Sequence, residues 1–163
     1  MKILVVSDTH RNFLALKKVL DENPDFDALI HLGDGEQEFE DVQALYPDKA
    51  MIYVAGNCDY GQHERVHVAK FGGVRIFCCH GHAFSVNLGR ENLAATAKKN
   101  QCSIALYGHT HVPRTEILSG VLVMNPGSLD SPRNQSKRSY IVLELTESGE
   151  IKPNFVEAEV SDL

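Results

Sequence analysis

Three short apolar runs open the chain: KILVVS (2–7), ALIHL (28–32) and AMIYVA (50–55). Each is long enough for a buried strand and too short for a buried helix. Between them lie two segments with helical periodicity. Residues 12–22 set Phe13, Leu14, Leu16, Val19 and Leu20 along one face, and Pro24 ends the pattern. Residues 36–46 form the second helix, stopped at Pro47. Strand–helix–strand–helix–strand implies a parallel sheet covered by helices. Binding sites in such sheets lie beyond the carboxyl ends of the strands.

The second half is richer in strands. Residues 66–70 and 74–79 read as a hairpin about Gly72-Gly73, and 114–118 with 121–124 as another about Ser119-Gly120. A helix spans 89–100, a strand 103–107, and residues 138–145 and 151–158 form a final antiparallel pair. No repeat, low-complexity tract or linker interrupts the pattern. The expectation for residues 1–163 is one domain of α/β class, a four-layer α-β-β-α sandwich of two mixed sheets with outer helices. Its site is expected at the C-terminal ends of the strands.

The formal charge of −6 argues against an extended nucleic-acid surface, which needs a basic face. No stretch approaches the ~20 apolar residues of a membrane span. Asp8 and His10 interrupt the N-terminal apolar run where a signal peptide would continue. Cys58, Cys78, Cys79 and Cys102 match no zinc spacing and read as reduced thiols, so a cytoplasmic location is expected. The oligomeric state is open, with a hydrophobic strand edge as one route to a homo-oligomer.

Five polar blocks each follow an apolar strand: SDTH (7–10), GDG (33–35), GNCD (56–59), HGH (80–82) and GHTH (108–111). In an extended segment, residues i and i+2 point the same way. On that reading Asp8 and His10 share one ion, and His109 and His111 lie side by side. Imidazole and carboxylate are ligands for zinc, manganese, iron and nickel. Taken singly, each block has a plain reading: Asp34 as a helix cap, Asn57 as a turn residue, His80 as a hydrogen-bonded core histidine. Five strand ends that all finish in metal-compatible groups have no ready structural explanation.

The ordered set D-x-H, G-D, G-N-x-[DE], H, G-H-x-H resembles the signature of calcineurin-like metallophosphoesterases. The resemblance runs from Ser7 to Ser128, and the short length, GNCD, HGH and NPGS (125–128) are similar to the small YfcE-type phosphodiesterase branch. It implies that Asp8, His10, Asp34 and His111 hold a first divalent ion. Asp34 bridges to a second, completed by Asn57, His80 and His109. It also implies hydrolysis of a small phosphodiester through a hydroxide bridging the two ions, which reverse the local field of an acidic chain. Manganese is the expected metal, with nickel, iron, zinc or magnesium as alternatives. The competing activities are a phosphomonoesterase or nucleotide phosphatase, and a non-catalytic protein-binding scaffold of the same fold.

One position departs from the family pattern. Many members carry histidine where this chain has Cys58, which reads here as a small apolar filler. Without that histidine, the chain is expected either to favour esters whose leaving groups need no protonation, such as aryl diesters, or to take the proton from His82, two residues beyond His80, which reads equally as a supporting or surface histidine. Asn57, His82 and Asp59 are the expected catalytic residues. His31 is expected to pack or to support the ligands and His63 and His67 to lie on the surface; Arg133 and the NPGS loop read either as neighbours of the substrate phosphate or as a solvated loop and a plain turn.

Overall fold

A computed structural model describes residues 1–159. Strands β1 (Lys2–Val6), β2 (Ala28–His31) and β3 (Ala50–Tyr53) run parallel. β9 (Ser139–Leu145) pairs antiparallel with β1, and β10 (Ile151–Glu157) with β9, giving the order β10-β9-β1-β2-β3. The second sheet contains β4 (Val66–Phe71), β5 (Val74–Cys79), β6 (Ile104–Leu106), β7 (Arg114–Leu118) and β8 (Val121–Asn125). Its order is β4-β5-β6-β8-β7, parallel in the middle and antiparallel at both edges. These are the two mixed sheets expected from the sequence.

Side-chain alternation builds the layers. Along β1, Ile3 and Val5 face inward, against Ile76, Ile104 and Leu106 of the other sheet. Leu4 and Val6 face outward, against Leu16 and Leu20 of α1 (Phe13–Glu22) and Phe39 of α2 (Glu36–Leu45). Phe77, Ala105 and Val123 play the outward part for the second sheet, beneath Leu93 and Ala97 of α3 (Glu91–Lys99). The result is the expected α-β-β-α order. One face was misjudged: Leu14 is 54% exposed, and Ala15 takes its place against the sheet. Helical spacing carries position 14 off the stripe made by 15, 16, 19 and 20. Asn12 caps α1 by accepting from the Ala15 amide at 3.0 Å, a contact worth about 1 kcal/mol.

Strand register positions the site. Val6, His31 and Tyr53 are cross-strand partners, so β1, β2 and β3 finish level. Cys78, Leu106 and Met124 are level in the other sheet. The five polar blocks therefore leave the sandwich at one end.

Candidate metal centre

The loops that leave the strands turn at once. Asp8 (φ 54°), His10 (41°) and Arg11 (70°) are left-handed after β1, as are Asp34 (58°) after β2 and His109 (71°) and His111 (60°) after β6. Each such non-glycine residue costs on the order of 1–2 kcal/mol, and such strain clusters at functional sites. Backbone bonds lock the loops together: Asp8 N–H to Gly33 O at 3.0 Å, His10 N–H to Asp34 O at 2.9 Å and Gly108 N–H to His80 O at 2.8 Å.

The extended i, i+2 geometry expected for these segments is thus replaced by tight turns. Asp8 and His10 still meet, with Oδ1 and Nε2 3.7 Å apart. His109 and His111, however, serve different neighbours. His111 Nε2 lies 3.2 Å from His10 Nε2 and 3.2 Å from Asp8 Oδ1. The His109 ring stacks edge-on to His80 at 5.2 Å, and its Nδ1 lies 3.1 Å from Asn57 Oδ1. All seven predicted ligands come together, in two linked groups. Asp34 joins them, its Oδ2 lying 3.3 Å from His80 Nε2 and 4.0 Å from His10 Nε2.

The outer atoms of these side chains are held by the protein, and the inner ones are left over. Asp8 Oδ2 accepts from Ser7 Oγ (2.7 Å) and the His109 amide (3.0 Å), which leaves Oδ1 facing the histidines. The His80 ring is bonded through Nδ1 to Leu32 O at 2.6 Å, and His111 through Nδ1 to Ser131 O at 2.7 Å. A carbonyl only accepts, so both rings carry a proton on Nδ1 and present Nε2 inward, toward the carboxylates. Asp8 Oδ1 and His80 Nε2 are buried without a hydrogen-bond partner among the described residues. A buried carboxylate oxygen and a buried imidazole nitrogen that both lack a hydrogen-bond partner cost several kcal/mol unless a cation joins them. The donor set of two carboxylates, four imidazoles and an amide fits divalent transition ions.

Charge follows the same geometry. Burial opposes ionisation of Asp8, but the close imidazoles of His10 and His111, the charge of His80 and the Ser7 hydroxyl hold its carboxyl well below the usual range. Asp34 is lowered likewise, burial being overcome by His80 and the Cys58 amide. His109 and His82 are shifted down, chiefly by burial and then by His80, which favours their neutral forms.

Glycine admits the close approaches. A Cβ on Gly56 would sit 2.0 Å from Asp34 Oδ1, and one on Gly108 would sit 2.0 Å from Ser7 Oγ and 2.8 Å from Asp8 Oδ2. Either would push a carboxylate out of place.

Several residues brace the centre: His31 takes the supporting place expected of it, whereas the parts played by Thr9, Glu38 and Tyr53 were not legible in the sequence pattern. The Gly33 amide donates to His31 Nδ1 at 3.1 Å, so the His31 proton lies on Nε2, 3.0 Å from Thr9 Oγ1. Thr9 Oγ1 donates to Glu38 Oε2 at 2.6 Å, and the same oxygen accepts from the Arg11 amide at 2.6 Å. This line ties both ligand loops to the first turn of α2. His31 is fully buried, and burial lowers its pKa to about 4. Asp59 Oδ2 accepts from Tyr53 Oη (2.5 Å) and from the amides of Gly56 (2.7 Å) and Asp34 (3.0 Å). Its carboxylate thus clamps two loops. In NPGS, Asn125 Nδ2 donates to Gly108 O and Thr110 Oγ1, both at 3.0 Å, and Ser128 Oγ donates to Asp8 O at 2.7 Å. The Gly127 amide is spent on Asn125 Oδ1 at 2.8 Å, so this loop serves its neighbours and offers that donor to no phosphate.

His82 reaches the rim by a route the sequence did not suggest. Gly81 is left-handed (φ 112°) and starts a 3₁₀ turn, His82–Phe84. The His82 ring still lies 5.5 Å from His80 and 6.1 Å from His109. Cys58 is exposed, which corrects its reading as an apolar filler: the GNCD turn is pinned by Asp59 and carries the thiol out of the core. Arg133 is exposed, and its amide donates to His111 O at 3.1 Å. His63 pairs with Glu40 at 3.1 Å, and His67 with Glu64.

A sandwich whose strand ends pool orphaned carboxylate and imidazole donors defines a metallohydrolase-type centre. Residues 1–148 match the calcineurin-like phosphoesterase superfamily domain, and the chain belongs to that superfamily, a class of phosphoric ester hydrolases. It is 31% identical over 147 residues to the probable metallophosphoesterase YsnB of Bacillus subtilis, covering 89% of this chain and 85% of that one. It is 31% identical over 169 residues to the phosphodiesterase YfcE of Escherichia coli, covering 88% of each. The crystal structure of a predicted phosphoesterase from Streptococcus pneumoniae superposes with a TM-score of 0.82 at 30% identity, over 96% of this chain and 89% of that one. Vps29 of Entamoeba histolytica, solved in complex with zinc, shares the fold at a TM-score of 0.74 and 23% identity, over 98% and 100% of the two chains.

Proposed function

We propose that the chain hydrolyses phosphate diesters with two divalent ions, held by Asp8, His10, Asp34 and His111 on one side and by Asp34, Asn57, His80 and His109 on the other. The observation that carries this reading is the pair of buried, unpartnered donors, Asp8 Oδ1 and His80 Nε2, within 3.7 Å of each other. Bound there, the ions supply Lewis acidity and an activated water nucleophile at neutral pH. The protein's own part is positioning. Leu32 and Ser131 carbonyls fix two imidazoles, Asp59 holds the GNCD turn against the Asp34 loop, and the Thr9–Glu38 bond holds the loop of Asp8 and His10.

His82 is our choice of proton donor to the leaving oxygen, since it flanks His80 and His109 while its Nδ1 is buried without a partner among the described residues. A leaving-group series tests this role: His82→Ala should steepen the dependence of rate on leaving-group pKa, and an unchanged slope removes His82 from the reaction. Manganese is our first choice of ion. The whole chain, 1–163, is read as one metallophosphoesterase domain acting on small diesters. Free thiols at all four cysteines support a reducing, cytoplasmic setting. No helix among the described residues is long and apolar enough to cross a membrane.

The test is hydrolysis of bis-p-nitrophenyl phosphate beside p-nitrophenyl phosphate, after metal is stripped and manganese returned. Metal-dependent cleavage of the diester, lost in His80→Ala, is the expected result. Faster cleavage of the monoester points to a phosphomonoesterase, and no turnover with any divalent ion contradicts an enzymatic role.

A further inference from the structure

The exposed thiol of Cys58 has no structural work to do. Its amide donates to Asp34 Oδ1 at 2.9 Å, so its backbone is tied to the carboxylate that joins the two ligand groups. Its sulfur has a weak contact with Asn57 Nδ2 at 3.7 Å and lies beside Asp34, and partial burial followed by that carboxylate pushes its thiol pKa up in the metal-free chain. The side chain lines a cavity of about 290 Å³ together with His10 and Asp34.

The three donors are close enough to share one cation. Cys58 Sγ, a His10 ring nitrogen and an Asp34 carboxylate oxygen all lie within 4.8 Å of one another. Two donors bound at ~2.0–2.3 Å on opposite sides of one ion are at most about 4.6 Å apart, so small side-chain rotations bring this trio into range. A second observation marks the same centre as cation-binding: the buried, unpartnered Asp8 Oδ1, 3.7 Å from His10 Nε2. The other cysteines offer no such donor. Cys78, Cys79 and Cys102 are buried, the first two between apolar neighbours that push their thiols up, Cys79 to about 12.

We propose that Cys58 is itself a metal ligand, adding a thiolate to the ion held at His10 and Asp34 and biasing that position toward a thiophilic divalent cation such as Zn²⁺ or Co²⁺. The inference rests on the metal-centre reading above and adds a donor to it. On binding, the S–H bond breaks, its proton leaves to solvent and a sulfur–metal bond forms. Soft sulfur ligation favours zinc over the harder manganese, so the identity of residue 58 sets the metal preference of the centre. The added negative charge also tempers the electrophilicity of that ion.

Cobalt replacement tests the proposal in the full chain without relying on turnover. Metal-stripped protein titrated with Co²⁺ should show a near-ultraviolet sulfur-to-cobalt charge-transfer band together with the weaker visible bands of imidazole and carboxylate ligation. Cys58→Ser should lose the former and keep the latter. The ratio of Zn²⁺ to Mn²⁺ affinity should fall on the order of tenfold in the variant. Visible bands with no charge-transfer band, or one that survives in Cys58→Ser, would overturn the proposal and leave the metal centre standing. No cobalt bands at all would overturn the centre and the cysteine ligand together.

Discussion

Two groups of carboxylates and imidazoles stand side by side in this molecule, and only one has the physical marks of a centre. Asp8, Asp34 and His80 are buried, and their inner atoms include two with no partner. Glu36, Glu40 and His63 also bring three donors within range of one another, on the first turns of α2 and the loop beyond β3. There, however, the groups are half-exposed and already engaged. Glu36 Oε2 accepts from the amides of Tyr60 (3.2 Å) and Gly61 (3.0 Å), and Glu40 takes His63. Residue types are alike in the two places. What differs is burial, unspent donors, and a backbone held left-handed at a cost of several kcal/mol. The first group keeps buried donors with no partner among the described residues, and the second is satisfied by its own neighbours.

The largest effect should come from removing the shared carboxylate or the most buried imidazole. Asp34→Asn or His80→Ala should lower metal-dependent diester hydrolysis by more than about a hundredfold, since loss of outer partners alone typically costs ~10–100-fold. Steady-state rates at saturating manganese check this, and near-normal turnover would erase the contrast between the groups.

One step out, Thr9→Val removes the hydroxyl that links His31 to Glu38 while keeping the side-chain shape. Affinity for the first ion should fall ~10–100-fold, and Thr9→Ser should restore most of it. Calorimetric titration separates the two outcomes, because a change in packing alone would not be repaired by serine.

His31 gives the contrast a pH dependence. Its pKa is about 4 in the folded chain against an ordinary 6.5, so between those values the unfolded chain takes up a proton that the folded chain refuses. Its contribution is full above pH 6.5 and is lost as pH falls toward 4. Between neutral pH and pH about 5, metal-free wild type should lose about 2 kcal/mol relative to His31→Gln in urea unfolding. A constant difference across that range would mean that His31 is protonated in its pocket. The smallest effect belongs to the peripheral group. Glu40→Gln and His63→Ala should change stability by no more than about 0.5 kcal/mol and leave metal affinity unchanged.

Much of this was legible before any coordinates. Apolar runs of strand length alternating with amphipathic segments specify layers, and polar blocks at their ends specify where chemistry gathers. That logic predicted the two mixed sheets, and it singled out Asp8, His10, Asp34, Asn57, His80, His109 and His111, whose side chains the fold gathers at one end of the sandwich. It failed where local pattern does not determine backbone shape. Left-handed turns at Asp8, His109 and His111 undid the extended pairing, because only contacts with other loops stabilise them. It also missed the braces. Thr9, Glu38 and Tyr53 act on partners from 6 to 29 positions away, and nothing in their own neighbourhood signals it. Cys58 was misread for a similar reason. Its exposure follows from the way Asp59 folds the turn, a long-range contact with Tyr53 and Asp34.

The most direct test counts ions. Metal-stripped protein dialysed against excess manganese and assayed for bound metal should hold about two ions per chain, and Asp34→Asn, with the shared oxygen gone, one or none. Wild-type protein that holds no metal, or an Asp34→Asn variant that keeps both ions, would contradict the account.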